Sequence, residues 1–202
     1  MAKRFNEVHQ YVINNWIEAR KLEDSMIDVR EKYERVFERV IKAVQEEKPE
    51  FNNCQLHLKE SAICFAKKKW SRKSEKWPPG LWIWPISLDK LMADDLDGTW
   101  PQIWFCDPKG KEFDLKELEE ARIKIKNASV ELLKGEKPKY SFDDESDRST
   151  LLWYNIPESR QELVQMLLDH ESEKFVKCLA SNVMILARFI PVLDEILLTK
   201  SP

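Results

Sequence analysis

Glycine is scarce in this chain: Gly80, Gly98, Gly110 and Gly135 are the only four among 202 residues. Phosphate-cradling loops need several glycines close together, so a Walker-type or dinucleotide-binding site is excluded. Histidine is rarer still, with His9, His57 and His170 spread along the chain. None of them neighbours a G-x-S-x-G elbow or repeats at i, i+4, so neither a nucleophilic triad nor a paired-histidine metal site is indicated. The four cysteines (Cys54, Cys64, Cys106, Cys178) show no CxxC spacing, which argues against both a zinc site and a disulfide framework. Charge of one sign is also missing, since 33 basic residues meet 36 acidic ones for a net charge of −3. Such a balance argues against nucleic-acid binding over the whole surface. The N-terminus is amphipathic and charged from Lys3, and no apolar run approaches the eighteen residues of a membrane span. A cytoplasmic, reduced protein without membrane contact is expected. No internal repeat is visible.

What the chain does have is an almost unbroken heptad over residues 4–47. Steps of three and four from Phe5 give Val8, Val12, Asn15, Ala19, Leu22, Met26, Val29, Tyr33, Val36, Val40 and Ala43. Eleven of these twelve positions are apolar, where a 43% hydrophobic chain would supply about five by chance. The pattern predicts one long helix built to lie along another helix. At 1.5 Å per residue it would be roughly 66 Å long. A compact domain of this size has a radius of gyration of about 16–17 Å, so the helix is expected to overhang its own domain or to break once. Glu23-Asp24-Ser25 is the one plausible capping sequence inside it, but the register runs through undisturbed and favours continuity. Trp16, Phe37 and Val44 widen the stripe beyond a pure two-stranded seam. Val8, Val12, Asn15, Ala19, Leu22, Met26 and Val29 form the expected oligomer seam, with Asn15 able to fix register by pairing with its counterpart. The competing reading is an intramolecular bundle helix with Asn15 near solvent.

Beyond Pro49 the pattern changes. Gln55 to Trp70 reads as one or two strands, Leu81 to Ile86 as a strand whose Pro85 suggests a sheet edge, and Gln102 to Cys106 as a short strand. Leu115 to Leu133 is a second helix. Residues 135–150 are polar and proline-bearing and read as a mobile linker. Pro157 suits the first turn of a third helix, to about Asp169. A last helix starts near Ser172, buries Phe175, Leu179, Val183, Leu186 and Ile190, and is kinked or ended by Pro191. The fold class is α+β: a long N-terminal coiled-coil-like helix, a small antiparallel sheet and C-terminal helices. The expected division is 1–48 for the long helix, 49–134 for a Trp-rich sheet plus helix, 135–150 for the linker and 151–202 for the C-terminal helices.

Candidate chemistry is thin. Asp94, Asp95 and Asp97 form either an exposed turn or a hard-cation site, the turn being favoured. Asp107-Pro108-Lys109 follows the Ile103–Cys106 strand as an acid-x-lysine triplet would in a nuclease, but proline inside it and Gly110 after it favour a turn. No catalytic residue, metal ligand or cofactor is expected. The segment from Lys67 to Trp77 carries six basic side chains against one acid, interleaved with tryptophan. Lys67, Lys68, Lys69, Arg72, Lys73 and Lys76 could neutralise phosphates while Trp70 and Trp77 stack on bases. Alternatively, this is a hairpin whose lysines face water and whose tryptophans fill the core.

The runs Met26 to Pro49, Trp77-Pro78-Pro79-Gly80-Leu81-Trp82 and Trp100-Pro101-Gln102-Ile103-Trp104-Phe105 resemble the accessory region that follows the catalytic core in PD-(D/E)XK nuclease superfamily proteins of bacterial defence islands. The resemblance covers residues 5–130 and lacks the catalytic strand triplet, so no catalytic residue carries over. It implies an accessory or recognition module in a phage-defence setting. The expected function is therefore a non-enzymatic, oligomerising interaction protein that docks on a protein partner, serving a nucleic-acid-processing or phage-defence complex. The alternatives are a DNA- or RNA-binding protein using the basic Trp-rich segment, and a degenerate nuclease using Asp107 and Lys109.

Overall fold

In the computed structural model the described residues are 7–57, 62–71, 78–84, 102–106, 114–136, 140–141, 150–156, 158–169 and 172–198. They form an α+β protein, as the sequence predicts. The chain divides into two compact units, the first ending at Arg35 and the second beginning at Val36.

The first unit is helical. Helix α1 (Glu7–Asn14) and the start of α2 (Trp16–Glu47) are separated by the single residue Asn15. Hydrogen bonds from Asn15 N–H to the Tyr11 carbonyl and from Ala19 N–H to the Asn15 carbonyl, 3.0 and 2.9 Å, carry the helical ladder across. The Asn15 amide Nδ2 also donates to the Tyr11 carbonyl at 2.9 Å. A short polar side chain competing for its own helix's carbonyl is a common cause of local helix distortion. At Glu23-Asp24-Ser25 the helix does not break: Ser25 Oγ donates back to the Lys21 carbonyl at 2.8 Å and stays within the helix.

In the second unit the end of α2 is a core helix: Val36, Phe37, Val40 and Val44 are buried. Phe37 meets Phe175 edge to face at 6.2 Å, a favourable aromatic geometry. Among the described residues the sheet has six strands: β1 (Gln55–His57), β2 (Ala62–Phe65), β3 (Gly80–Trp84), β4 (Gln102–Cys106), β5 (Tyr140–Ser141) and β6 (Thr150–Asn155). Their order is β1-β2-β3-β4-β6-β5 and every pairing is antiparallel. All four residues of β2 are buried, as are Gly80 to Ile83 of β3, so both faces of the sheet centre are covered. That coverage is why these strands read as apolar runs rather than clean alternation. Gly80 is required where it stands: a Cβ there would lie 2.6 Å from the Phe65 carbonyl oxygen.

Two sequence expectations are corrected here. Strand β3 is interior, flanked by β2 and β4, so the edge position inferred from Pro85 does not hold; the ladder runs from Gly80 to Trp84 and Pro85 lies outside the described residues. The stretch read as a linker over 135–150 contributes Tyr140–Ser141 to the sheet edge, and β6 joins β4. The sheet thus crosses the expected boundary between 49–134 and 151–202.

Helix α3 (Leu115–Leu132) contacts β6 and begins with an Asp114/Glu117 capping box; α4 (Arg160–Leu168) begins with a Ser159/Glu162 box. Helix α5 (Glu173–Leu186) buries Phe175, Leu179, Val183 and Leu186 as expected. A 3₁₀ turn at Ala187–Phe189 leads into α6 (Ile190–Leu198), with Pro191 in the first turn, where its missing N–H costs nothing. The stretch Glu173–Leu198 is long and apolar enough to cross a membrane, at a mean hydropathy of 1.6, so the sequence expectation that no such run exists needs amending. More than half of it is buried inside the fold, as a core helix requires.

Candidate interaction surface

The heptad stripe in the first unit faces solvent. Val8 and Leu22 are each 67% exposed, Met26 57% and Val29 47%. Val12, Asn15 and Ala19 are half-buried. Beside this line Tyr11, Trp16 and Ile27 are exposed as well. Tyr11, Asn15, Trp16, Leu22, Met26 and Ile27 help line one shallow groove of about 610 Å³ along the helix. Glu18, Arg20, Glu23 and Arg30 line the same groove, and toward its end Lys32 pairs with Asp28 at 2.7 Å and Arg35 with Glu31 at 3.8 Å, both i, i+4 pairs. A contiguous apolar strip rimmed by such pairs marks an interaction surface. All seven seam residues expected from sequence therefore fall along one stretch of helix.

The basic Trp-rich segment is arranged differently. Lys67 and Trp70 are buried, and both converge on Asp194 of α6. Lys67 Nζ lies 2.7 Å from Asp194 Oδ2, and the Trp70 indole N–H donates to Asp194 Oδ1 at 2.7 Å. Lys67 Nζ also sits 5.3 Å from the centre of the Trp70 ring, a cation–π contact. Lys69 adds a 3.5 Å ion pair to the same carboxylate and, like Lys68, is exposed. Burial by itself would raise the Asp194 pKa, but hydrogen bonds from Lys67 and Trp70 and the charges of Lys67 and Lys69 hold it below 3.8. Trp70 completes the cluster against Phe51, ring centres 6.1 Å apart. Two of the expected nucleic-acid contacts are thus engaged inside the fold, two are at the surface, and Arg72, Lys73, Lys76 and Trp77 lie outside the described residues. Asp94, Asp95, Asp97, Asp107 and Lys109 lie outside them too.

Among the described residues, the thiols and phenols with shifted pKa values are all raised, chiefly by burial. Burial pushes the Cys54 thiol up to about 11, partly opposed by hydrogen bonds from the Ala66 backbone and Gln45. Burial, then the negative charge and hydrogen bond of Glu158, push Cys178 up to about 12. Both are thiols rather than thiolates at neutral pH, and the thiolate is the nucleophile. His57 is buried and stacked on Trp82 at 5.4 Å, a packing role within the sheet. Burial raises the Tyr154 phenol, with Glu136 and Glu158 adding to the effect and Arg188 opposing it. Arg188 itself pairs with Glu136 at 2.7 Å and donates to the Leu132 carbonyl at 3.0 Å, closing the end of α3. Among the described residues no group of three or more His, Cys, Asp or Glu side chains could hold a metal ion.

No family model, curated protein or solved structure matches the chain.

Asn15 and Asp194 are the residues sequence reasoning places least well. The heptad offers Asn15 either for pairing across the seam or for solvent, and its amide Nδ2 donates to the Tyr11 carbonyl. Asp194 belongs to no motif. Its only signal is one acid after the apolar run Ile190-Pro191-Val192-Leu193, and its partner stands 127 residues away.

Proposed function

We propose that this protein is a non-enzymatic interaction module that self-associates through the apolar stripe Val8–Val29 and presents a folded α+β unit to a larger assembly. The observation that carries the reading is the exposure of a seam whose heptad pattern is that of a helix with a helical partner. Large apolar side chains at i, i+3, i+4 and i+7 in water cost free energy that a second helix recovers. The raised thiols, the packed His57 and the scarcity of glycine support a role without catalysis. The resemblance of residues 5–130 to accessory regions of defence-island nucleases suggests the setting we propose, a cytoplasmic nucleic-acid-processing or phage-defence complex.

Replacing both Val12 and Leu22 with Asp tests the reading. Burying carboxylates in a seam costs several kcal/mol per pair of helices, so the double variant sediments as a monomer. It keeps the wild-type circular dichroism spectrum at high dilution, because both positions reach solvent in the single chain. An unchanged mass for the variant overturns the reading. A parallel assay covers catalysis: purified protein leaves plasmid DNA, RNA and ATP unchanged with Mg²⁺ or Mn²⁺. Nicking that disappears in both Asp107→Ala and Lys109→Ala would establish a nuclease instead.

A further inference from the structure

Resting on that reading, we infer that the occupant of the Val8–Val29 stripe is a second copy of this chain lying antiparallel, with Ala19 of one copy against Leu22 of the other. Two observations select this direction. The first is charge. Written as a heptad with Val12, Ala19 and Met26 in one core row and Val8, Asn15, Leu22 and Val29 in the other, the flanking positions hold His9, Trp16, Glu23 and Arg30 on one side and Tyr11, Glu18, Ser25 and Lys32 on the other. In a parallel in-register pair each Glu18 flanks the partner's Glu23, and the two-fold axis repeats that repulsion. In the antiparallel pair Glu18 flanks the partner's Ser25, Trp16 flanks the partner's Glu23, and Tyr11 flanks the partner's Lys32. No carboxylate faces another carboxylate, and the Trp16 indole N–H and Tyr11 hydroxyl gain charged neighbours.

The second observation is size. A parallel pair stacks Ala19 on the partner's Ala19 beside an Asn15 layer, leaving two adjacent thin layers in a short seam. The antiparallel pair sets Ala19 against the partner's Leu22, Val12 against the partner's Val29, and Asn15 against the partner's Met26. Small then meets large, and the adaptable methionine covers the one polar core residue.

Disulfide trapping decides between the directions. Val12→Cys and Val29→Cys variants of the intact chain are oxidised separately and as an equal mixture, against wild-type protein as background. In the antiparallel pair residue 12 lies opposite the partner's residue 29. Identical positions are then 17 residues apart along the axis, roughly 26 Å, and a disulfide needs Cα atoms within about 7 Å. The mixture should therefore give a disulfide-linked heterodimer, while each variant alone gives no more crosslink than wild type. Homodimeric disulfide in the separate variants overturns the antiparallel assignment but keeps the self-association reading. Absence of crosslink in all three samples from a protein that sediments as a dimer also overturns the assignment. A wild-type chain that is monomeric at tens of micromolar removes the underlying reading itself.

Discussion

Val40 is fully buried and Val36 is 5% exposed, whereas Val8, Leu22 and Met26, in the same heptad pattern, are more than half exposed. The two parts of the stripe share their periodicity and differ in their surroundings. A heptad states that a helix face needs cover, and the later part of α2 receives it from its own unit, from Phe175 for example. Residues 8–29 have the same need, which the proposed partner helix would meet. Periodicity thus reports demand for a partner, while burial reports whether the chain supplies one.

Truncations on the two stretches probe this contrast most strongly. Phe37→Ala removes a fully buried ring and should cost about 3–5 kcal/mol of unfolding free energy, read by urea denaturation. Leu22→Ala at sub-micromolar protein should change it by no more than about 0.5 kcal/mol, while weakening self-association. Similar losses at both sites would erase the contrast. Next in size is Asp194→Ala, which strands the buried Lys67 ammonium. Breaking a buried pair costs about 3 kcal/mol here, the low end of the usual range, because the Asp194 side chain retains 28% exposure. Trp70→Ala should act on the same cluster and lower the melting temperature. If it instead left stability unchanged and abolished nucleic-acid binding, the packed assignment of Trp70 would be wrong.

Much of the second unit is legible in the sequence. Strand β4 runs over the expected Gln102 to Cys106, and α3 ends one residue from its expected end, because its apolar face repeats cleanly. The buried face of α5 is readable for the same reason. Strands β5 and β6 are not, since Thr150–Asn155 has no alternation to mark it and borders a polar stretch. Pro85 misleads because a proline following Gly80–Trp84 in the sequence does not keep that strand from pairing on both sides. The basic segment is ambiguous in principle: a lysine run looks the same whether water or Asp194 receives it. The interruption at Asn15 depends on which acceptor the amide chooses, and no heptad count contains that choice. The exposure of Val8–Val29 is invisible to pattern reading, because a seam reads alike covered or bare.

Smaller effects bear on the same contrast from within the covered unit. Gly80→Ala should cost about 1–3 kcal/mol, because the new methyl would press on the Phe65 carbonyl and the sheet centre has no room to yield. Urea denaturation reads this loss as well. Asp194 also gives a pH signature. Its folded pKa lies below the ordinary 3.8, so its stabilising contribution is present above about pH 4 and is lost as pH falls through the folded value. Asp194→Asn should flatten the acid limb of the stability profile below about pH 4 and leave the slope near neutral pH unchanged. Smallest is thiol reactivity. With pKa values of about 11 and about 12, Cys54 and Cys178 should alkylate near neutral pH far more slowly in the folded protein than in urea. Rapid labelling of either in the native state, followed by mass spectrometry, would reopen a nucleophilic role.

Sedimentation equilibrium of the intact chain, from low to tens of micromolar, is the decisive experiment for self-association. The exposed Val8–Val29 seam predicts a mass that climbs from the 24.0 kDa of one chain toward at least twice that value as concentration rises. A mass that stays at 24.0 kDa across the whole range would contradict it.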